Sequence, residues 1–468
     1  MDRRALCDEL LADMSDFVAQ GIGLHFPRER WRDLERGIEA AARELGLPDA
    51  ESCARTLLRA PLTHARVEVL ASHLTVGETY FFREKNSFAA LEEHILPQLL
   101  RARRGAENRL RIWSAGCCTG EEPYSVAMLL DRLIPDFDEW NVTILATDIN
   151  PRFLRRAAEG VYSEWSFRDT PAWIRERYFT RRHDGRYELQ PRIRRRVMFS
   201  PLNLADDTFP SFISNTNAMD VILCRNVLMY FNAERVQQVA ANFRRALVSG
   251  GWLIVSPTET SNTVFAPLTP VQFPGVVLYR NTDAAIPWPA VLDVPDPAPP
   301  ATVLPEPVAL TAEAPPGSTA AEFAPDPAQA PDDSREHASA ARRCAGEGRL
   351  GEAITWCEKA IEADRLNPAH YYLHAIICQE QGQLDAASQS LARALYLEPD
   401  FALAHFALGN LLLSQGRHTE ADRHLANAHA VLESCAQDEI LPEADGLTAG
   451  RLSEIIAAVR ASRPRATA

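Results

Sequence analysis

The sequence predicts an α/β domain built on a mostly parallel sheet, preceded by an all-α region and followed by a helical repeat solenoid. Three observations carry that reading. Short apolar runs alternate with helix-length segments between residues 110 and 280, the order that a parallel sheet with helical crossovers requires. Residues 1–73 place apolar side chains at helical spacing. In the last third of the chain small residues recur every 34 positions, as stacked helix pairs do.

With 468 residues the chain has room for two or three domains. The net charge of −14 is unevenly spread: residues 1–280 hold 36 basic and 36 acidic side chains, so the whole excess lies beyond them. That balance argues against a nucleic-acid partner. No apolar run reaches membrane-spanning length, and the nine cysteines show no metal-ligand spacing. The expectation is a cytoplasmic protein with reduced thiols, no membrane insertion and no metal.

Leu6–Val18 and Trp31–Leu45 read as amphipathic helices, broken apart at Gly21, Gly23 and Pro27. Arg28, Arg30, Arg32, Arg36 and Arg43 decorate this region. The plain reading is a solvated face; the sharper one is a docking surface for an acidic helical partner. In TVGETYFFRE, Thr75–Glu84, three consecutive aromatics cannot all point inward from one regular helix. They form either a buried hinge between domains or a lid over a neighbouring pocket.

The most informative stretch is LRIWSAGCCTGEEPY, Leu110–Tyr124. It reads as a strand, a loop with Gly116 and Gly120, and a helix start with Thr119 as N-cap and acids in the first turn. The spacing is neither a dinucleotide fingerprint nor a phosphate loop. Glu121 and Glu122 disfavour a polyphosphate and suit a ligand with a positive charge, such as an amino group or a sulfonium; S-adenosylmethionine carries both. Val142–Ile149 is a second strand, and Asp148 at its tip is placed either to accept ribose hydroxyls or to cap the next helix. Arg186–Leu189 and Arg194–Phe199 are expected to pair as a small hairpin. Asp220–Cys224 is a buried strand followed by Arg225, Asn226 and Tyr230, where open α/β sheets bind ligands. Trp252–Ser256 and an antiparallel Val276–Arg280 complete the sheet.

Asn281–Asp333 contains 13 prolines, nine acids and no basic residue, and is expected to be an extended linker. Beyond it Gly348, Gly382 and Gly416 keep a 34-residue period, as do Ala353, Ala387 and Ala421, and Ala360, Ala394 and Ala428. Pro399 ends the second unit; Pro368 is out of phase with it, which implies a small insertion after the first. This pattern resembles the tetratricopeptide (TPR) repeat, with three units over 334–435, then a capping helix near Leu452–Arg460 and a tail within 436–468.

The first 280 residues resemble the CheR family of chemotaxis receptor methyltransferases. The motifs are FFRE at Phe81–Glu84, WSAGC-x-TGEEPYS from Trp113, ATDI-N from Ala146, F-x-x-x-NL at Phe199–Leu204 and D-x-I-x-CRNVL-x-YF from Asp220. The resemblance implies an all-α domain over 1–73 and a Rossmann-like S-adenosylmethionine-dependent methyltransferase domain over 74–280, with a β-subdomain near 180–200. It implies methyl transfer to glutamates in the cytoplasmic domain of a methyl-accepting chemotaxis receptor, leaving S-adenosylhomocysteine. Carried over, Thr79 and Arg83 reach the cofactor, Glu122 sits by its methionine portion, Asp148 takes the ribose, and Asn203 and Leu204 border the adenine. Arg225 and Asn226 lie beside cofactor and acceptor, and Tyr230 lies near the departing methyl; Arg83, Arg225 and Tyr230 are the expected catalytic groups. Gly77 stands where many members have a cofactor-contacting Asn, so that contact is missing or made by backbone, and Cys118 replaces a common Ser. The repeats imply a protein partner, and the long linker implies that they need no fixed contact with the active site. Competing readings are a different protein acceptor and a scaffold that has lost catalysis.

Overall fold

The computed structural model describes residues 6–461 apart from 60, 61, 105–107, 207, 212, 213, 283–329, 347, 438, 445 and 446. Most of the expected linker therefore lies outside the described residues.

Four helices open the chain: α1 (Asp8–Ile22), α2 (Trp31–Glu44), α3 (Ala50–Leu58) and α4 (His64–Leu74). Met14 and Val18 of α1, Leu34 and Ile38 of α2 and Leu70 of α4 share one core, against which Ile149, Tyr230 and Phe231 of the next domain pack. Gly23 follows α1 with φ of 78°. A Cβ there would stand 3.0 Å from both Ala205 and Phe231, so this glycine ends the helix and also permits the domains to touch. Arg28, Arg32, Arg36 and Arg43 are exposed, as on a solvated face. Arg30 departs from it: half-buried, it lies over the rings of Phe26 and Tyr230, with centroids at 5.0 and 5.7 Å.

The second domain begins with α5 (Lys85–Ala90), a π turn over Leu91–Ile95 and α6 (Leu96–Arg103). It continues through β1 (Arg109–Ala115), α7 (Glu121–Leu133), β2 (Asn141–Asp148), α8 (Pro151–Glu159), β3 (Val161–Tyr162), α9 (Ala172–Tyr178), β4 (Phe179–Arg181) and β5 (Tyr187–Leu189). Then come α10 (Pro191–Arg194), β6 (Val197–Pro201), β7 (Met219–Cys224), α11 (Ala233–Ala246), β8 (Leu247–Val255), β9 (Thr269–Phe273) and β10 (Val276–Arg280). Seven strands form one sheet in the order β6-β2-β1-β7-β8-β10-β9. Neighbours from β6 to β8 pair in parallel; β10 is antiparallel to both β8 and β9. Every residue of β1 is buried. Its side chains alternate between two cores, Leu110 and Ile112 in one, Trp113 and Ala115 in the other, as a central strand covered on both faces must. The chain runs outward from β1 to β2 and returns to β7 on the other side of β1, which makes the β1/β7 boundary a topological switch point.

The expected hairpin between Arg186–Leu189 and Arg194–Phe199 does not form. β5 pairs instead with β3 and β4 in a three-stranded antiparallel sheet, and β6 pairs with β2 at the edge of the main sheet. Pro191 is the cause: it starts the one-turn helix α10, which carries the chain from one sheet to the other. The β-subdomain strands thus span Val161–Leu189. Phe81 is fully buried, with its ring 4.9 Å from Tyr162 and 5.0 Å from both Phe167 and Phe179. It is an anchor between the TVGETYFFRE segment and the subdomain, not a lid.

The C-terminal helices form three pairs, α12 (Ala330–Gly346) with α13 (Leu350–Ala363), α14 (Pro368–Glu380) with α15 (Leu384–Leu397), and α16 (Ala402–Ser414) with α17 (His418–Leu432); α18 (Ala449–Ala461) closes the stack. Gly348, Gly382 and Gly416 turn each pair with φ of 78°, 83° and 76°. All six periodic alanines are fully buried, where larger side chains would force the helices apart. The expected insertion after the first unit is absent. Pro368 is the first residue of α14, behind the N-cap Asn367, and occupies the place that Ala402 holds in the next pair. Pro368 opens a helix whereas Pro399 lies between two helices, so the two prolines hold different places in the repeat. Tyr372 packs on Phe401, and His374 meets Ser390 Oγ at 2.8 Å, so both serve packing between helices. Among the described residues no helix is long and apolar enough to cross a membrane.

Phe81→Ala should destabilise the methyltransferase domain by about 3–5 kcal/mol, the usual cost of emptying an aromatic core site. Urea denaturation checks this; a loss under about 1 kcal/mol would show that the aromatic cluster does not hold the segment.

Candidate active site

At the carboxyl ends of β1, β2, β6 and β7 a cleft encloses about 960 Å³, its open mouth included. Thr79, Arg83, Glu122, Asp148, Asn203, Leu204, Arg225, Asn226 and Tyr230 all line it. Gly77 does not: it is exposed beside the cleft, and a Cβ there would lie 2.6 Å from the Phe153 ring, which itself lines the wall. A side chain at 77 would therefore have to displace that ring, which accounts for the glycine.

The β1–α7 loop is pinned to β2. The N–H groups of Gly116 and Cys117 donate to Thr147 O at 2.8 and 2.9 Å, and Cys118 N–H donates to Asp148 Oδ2 at 2.8 Å. Gly116 has φ of 79°, and a Cβ on it would meet Val227 at 2.4 Å, so only glycine lets the β1 and β7 loops approach. The helix cap is Gly120 rather than Thr119; Thr119 Oγ1 donates instead to Glu121 Oε2 at 2.6 Å. Glu121 also accepts from Ser166 Oγ at 3.0 Å and is buried away from the cleft, which pushes its pKa up. Of the two glutamates, Glu122 alone faces the cavity. Burial raises the thiols of Cys117 and Cys118 well above their usual range, so neither is a thiolate nucleophile.

Asp148 sits at the tip of β2 and is 8% exposed. Its other oxygen accepts Asn150 N–H at 2.8 Å. The cap of α8 is Asn150, whose side chain accepts from Arg152 and Phe153 N–H, so Asp148 is not needed as a cap. Burial pushes its carboxyl up to about 6, against the backbone N–H groups that favour the charge.

Arg225 has a side chain only 2% exposed. Its guanidinium meets Glu84 Oε2 and Glu122 Oε2, each at 3.0 Å, donates to Arg83 O, and lies 5.3 Å over the Phe88 ring. Glu122 Oε1 accepts Ser114 Oγ at 2.7 Å. The following turn holds Asn226 at φ of 58° and is gripped by Glu259, whose carboxylate accepts Asn226 N–H at 2.8 Å, Met229 N–H at 3.1 Å and Ser256 N–H at 3.2 Å. Asn226 Nδ2 donates to Ser256 Oγ at 2.9 Å. Tyr230 sits between this turn and the helical domain; its carbonyl accepts His25 N–H at 2.7 Å, and burial raises its phenol pKa. Asn203 Nδ2 donates to Gly21 O at 3.0 Å and Asp206 Oδ1 at 2.8 Å, which fixes the Leu202–Leu204 wall. Arg83 donates to Glu78 O at 2.6 Å, with its guanidinium 5.9 Å from the Tyr80 ring centroid.

Sequence reasoning assigned no role to Glu84, Ser256, Glu259, Asn150 or Phe153. Glu84 stood inside a quoted motif. Ser256 and Glu259 form a capping box just past a strand, a spacing legible as Ser-x-x-Glu. Asn150 closes the ATDI-N motif without a role of its own there, and Phe153 has no local signal.

The cleft fits a nucleoside joined to a cationic amino-acid portion. Ile22, Leu24, Leu202 and Leu204 give an apolar wall for a base, Asp148 gives a buried acceptor for hydroxyls, and Glu122 gives a carboxylate. A cleft of this composition at the switch point of the sheet defines an α/β protein that binds a nucleoside-type cofactor. Residues 77–271 match the CheR methyltransferase SAM-binding domain, and residues 375–416 match a TPR repeat. The chain is 30% identical over 408 residues to "Probable biofilm formation methyltransferase WspC" of Pseudomonas aeruginosa, covering 83% of this chain and 91% of that one. It is 35% identical over 209 residues to "Chemotaxis protein methyltransferase 2" of Vibrio cholerae, covering 45% of this chain and 71% of the relative. "Chemotaxis protein methyltransferase 1" of Pseudomonas aeruginosa is 34% identical over 221 residues, 46% and 77% of the two chains. The chain belongs to the CheR methyltransferase family.

If Asp148 holds ribose hydroxyls as a carboxylate, cofactor affinity should be level above a pH of about 6, where the group is ionised, and fall by up to about tenfold per unit below it. Asp148→Asn should bind more weakly at neutral pH and lose most of this dependence. Calorimetry with S-adenosylhomocysteine from pH 5 to 8 checks both; a flat wild-type profile would remove Asp148 from the ribose site.

Proposed function

We propose that the chain methylates glutamate side chains in the cytoplasmic domain of a methyl-accepting chemotaxis receptor, tuning a chemosensory pathway from the cytoplasm. The observation that carries this reading is the set of groups that share the cleft: the carboxylates Glu122 and Asp148 line it together with Arg83 and Tyr230. The carboxylates suit a cationic cofactor; an arginine and a phenol suit a carboxylate acceptor. Two of the relatives are named chemotaxis protein methyltransferases and the one that spans most of the chain a probable biofilm formation methyltransferase, which supports methyl transfer in a chemosensory setting.

S-adenosylmethionine, when bound, supplies a methyl group on a positively charged sulfur. Glu122 would hold its methionine portion and Asp148 its ribose, and Leu202 and Leu204 would exclude water from the base. A glutamate side chain is already ionised at neutral pH, so no general base is required, and none of the cleft side chains has to accept a proton. What the chain contributes is alignment and exclusion of water. Arg225, with its guanidinium occupied by Glu84 and Glu122, acts by fixing Glu122 and the Arg83 backbone. Arg83 orients the incoming carboxylate, and Tyr230, held in place by Glu259 and Arg30, borders the methyl path.

Transfer of label from S-adenosylmethionine to receptor fragments, with release of the label by mild base, tests the reaction and its ester product together. Arg83→Ala should lower turnover on receptor fragments about a hundredfold, on the scale of losing one positioned charged donor. Base-stable label, or label only on some other protein, would replace the glutamate-receptor assignment. No transfer by a protein that binds S-adenosylhomocysteine would favour a scaffold.

A further inference from the structure

The linker length implies a freely tethered array, yet the two folded parts touch at the end of the sheet opposite the cleft. Glu380, the last residue of α14, is buried there, and its Oε1 accepts Asn217 Nδ2 at 2.7 Å. Its backbone carbonyl accepts Asn141 Nδ2, from the first residue of β2, at 2.9 Å. Arg109 and Arg111, at the start of β1 and both buried, belong to the same end of the sheet. Arg111 donates to Asn217 O at 3.2 Å, and the Glu380 charge acts on it. Two of the three periodic glycines belong to the same contact. A Cβ on Gly348 would stand 3.1 Å from both Arg109 and Val248, and one on Gly382 would stand 3.1 Å from Asn141, whereas Gly416 has nothing within 4 Å. The first two turns of the array therefore meet the sheet, and the third does not.

We propose that the N-terminal edge of the catalytic sheet is a docking surface for the chain's own repeat array, clamped through Glu380 over Arg109, Arg111, Asn141 and Asn217. Three features support a contact with intrinsic affinity. The acidic side chain is buried where its charge acts on Arg111. One carboxylate oxygen and the backbone carbonyl of Glu380 are each met by an asparagine amide. Glycine at the two touching turns permits an approach that a side chain would crowd. The linker cannot impose this arrangement, since about 47 residues can extend to roughly 145 Å at the polyproline rise. It does keep the effective concentration high, so a modest affinity holds the array down. Docking fixes the direction in which a partner on the array faces relative to the cleft. It leaves exposed Leu366 and Tyr396, near the connections between successive pairs at the opposite edge of the solenoid. The inference does not depend on the methyl acceptor.

The test uses the full chain with a protease site inserted between residues 283 and 329. After complete cleavage the two parts should co-elute on size exclusion at low micromolar concentration. Glu380→Arg, which sets a third arginine beside Arg109 and Arg111, should raise their dissociation constant at least tenfold. Asn141→Arg, on the catalytic side and far from the cleft, should do the same, so misfolding of one altered part cannot imitate the result. Cofactor affinity of the uncleaved Asn141→Arg protein should stay unchanged. Separation of the wild-type parts at this concentration, or co-elution of both variants with unchanged affinity, would overturn the proposal.

Discussion

The site depends on one buried cation. The Arg225 guanidinium joins three pieces of chain that no secondary structure connects: the loop after β7, the first turn of α7 through Glu122, and the segment before α5 through Glu84 and the Arg83 carbonyl. Removing a guanidinium from water costs several kcal/mol, and only near-complete pairing offsets that. Two carboxylates, a carbonyl and the Phe88 face supply it. Removal of one partner from such a cluster typically costs about 3–5 kcal/mol, because the remaining charges are left buried. The arrangement thus enforces a single geometry more than it adds stability, and Arg83 and Glu122 inherit that geometry.

A second carboxylate completes the frame. Glu259 accepts backbone N–H groups from the turn that carries Asn226 and Tyr230, which holds Asn226 in a left-handed conformation that a non-glycine residue rarely adopts. From the other side Arg30 and the His25 N–H hold Tyr230. The helical domain is therefore a wall of the cleft, which explains why Ile22 and Leu24 line it. Three acids near the cavity take different tasks by environment alone. Glu122 is paired with Arg225, Asp148 is left with backbone donors and pushed up to about 6, and Glu259 is spent on the loop.

Where sequence and structure agree, the signal was local. The strand, glycine loop and acidic helix start from Leu110 to Tyr124 are determined by contiguous residues, and so are the strand tip at Asp148 and the buried alanines of the repeats. Where they differ, the determinant was distant or a matter of phase. The partner of Val197–Pro201 is β2, some fifty residues earlier, and only the α10 turn at Pro191 diverts it there. Pro368 misled because a proline marks a helix start as readily as a helix end. Gly77 is explained by a ring 76 positions away, and Glu84 and Ser256 meet across 172. The contact of the array with the sheet edge had no sequence signature, since one glutamate and two asparagines among many polar residues announce nothing until the fold brings them together.

The account rests on Arg225 acting through Glu122 and the Arg83 backbone. Calorimetric titration of Arg225→Met with S-adenosylhomocysteine tests that most directly, with circular dichroism to confirm that the chain is folded. Met keeps much of the side-chain volume over Phe88 but removes the charge that joins Glu84 to Glu122. A folded variant that binds at least about tenfold more weakly, some 1.4 kcal/mol, is the predicted result. Affinity within twofold of the unaltered chain would contradict the claim that this buried cation holds the cleft in its binding geometry.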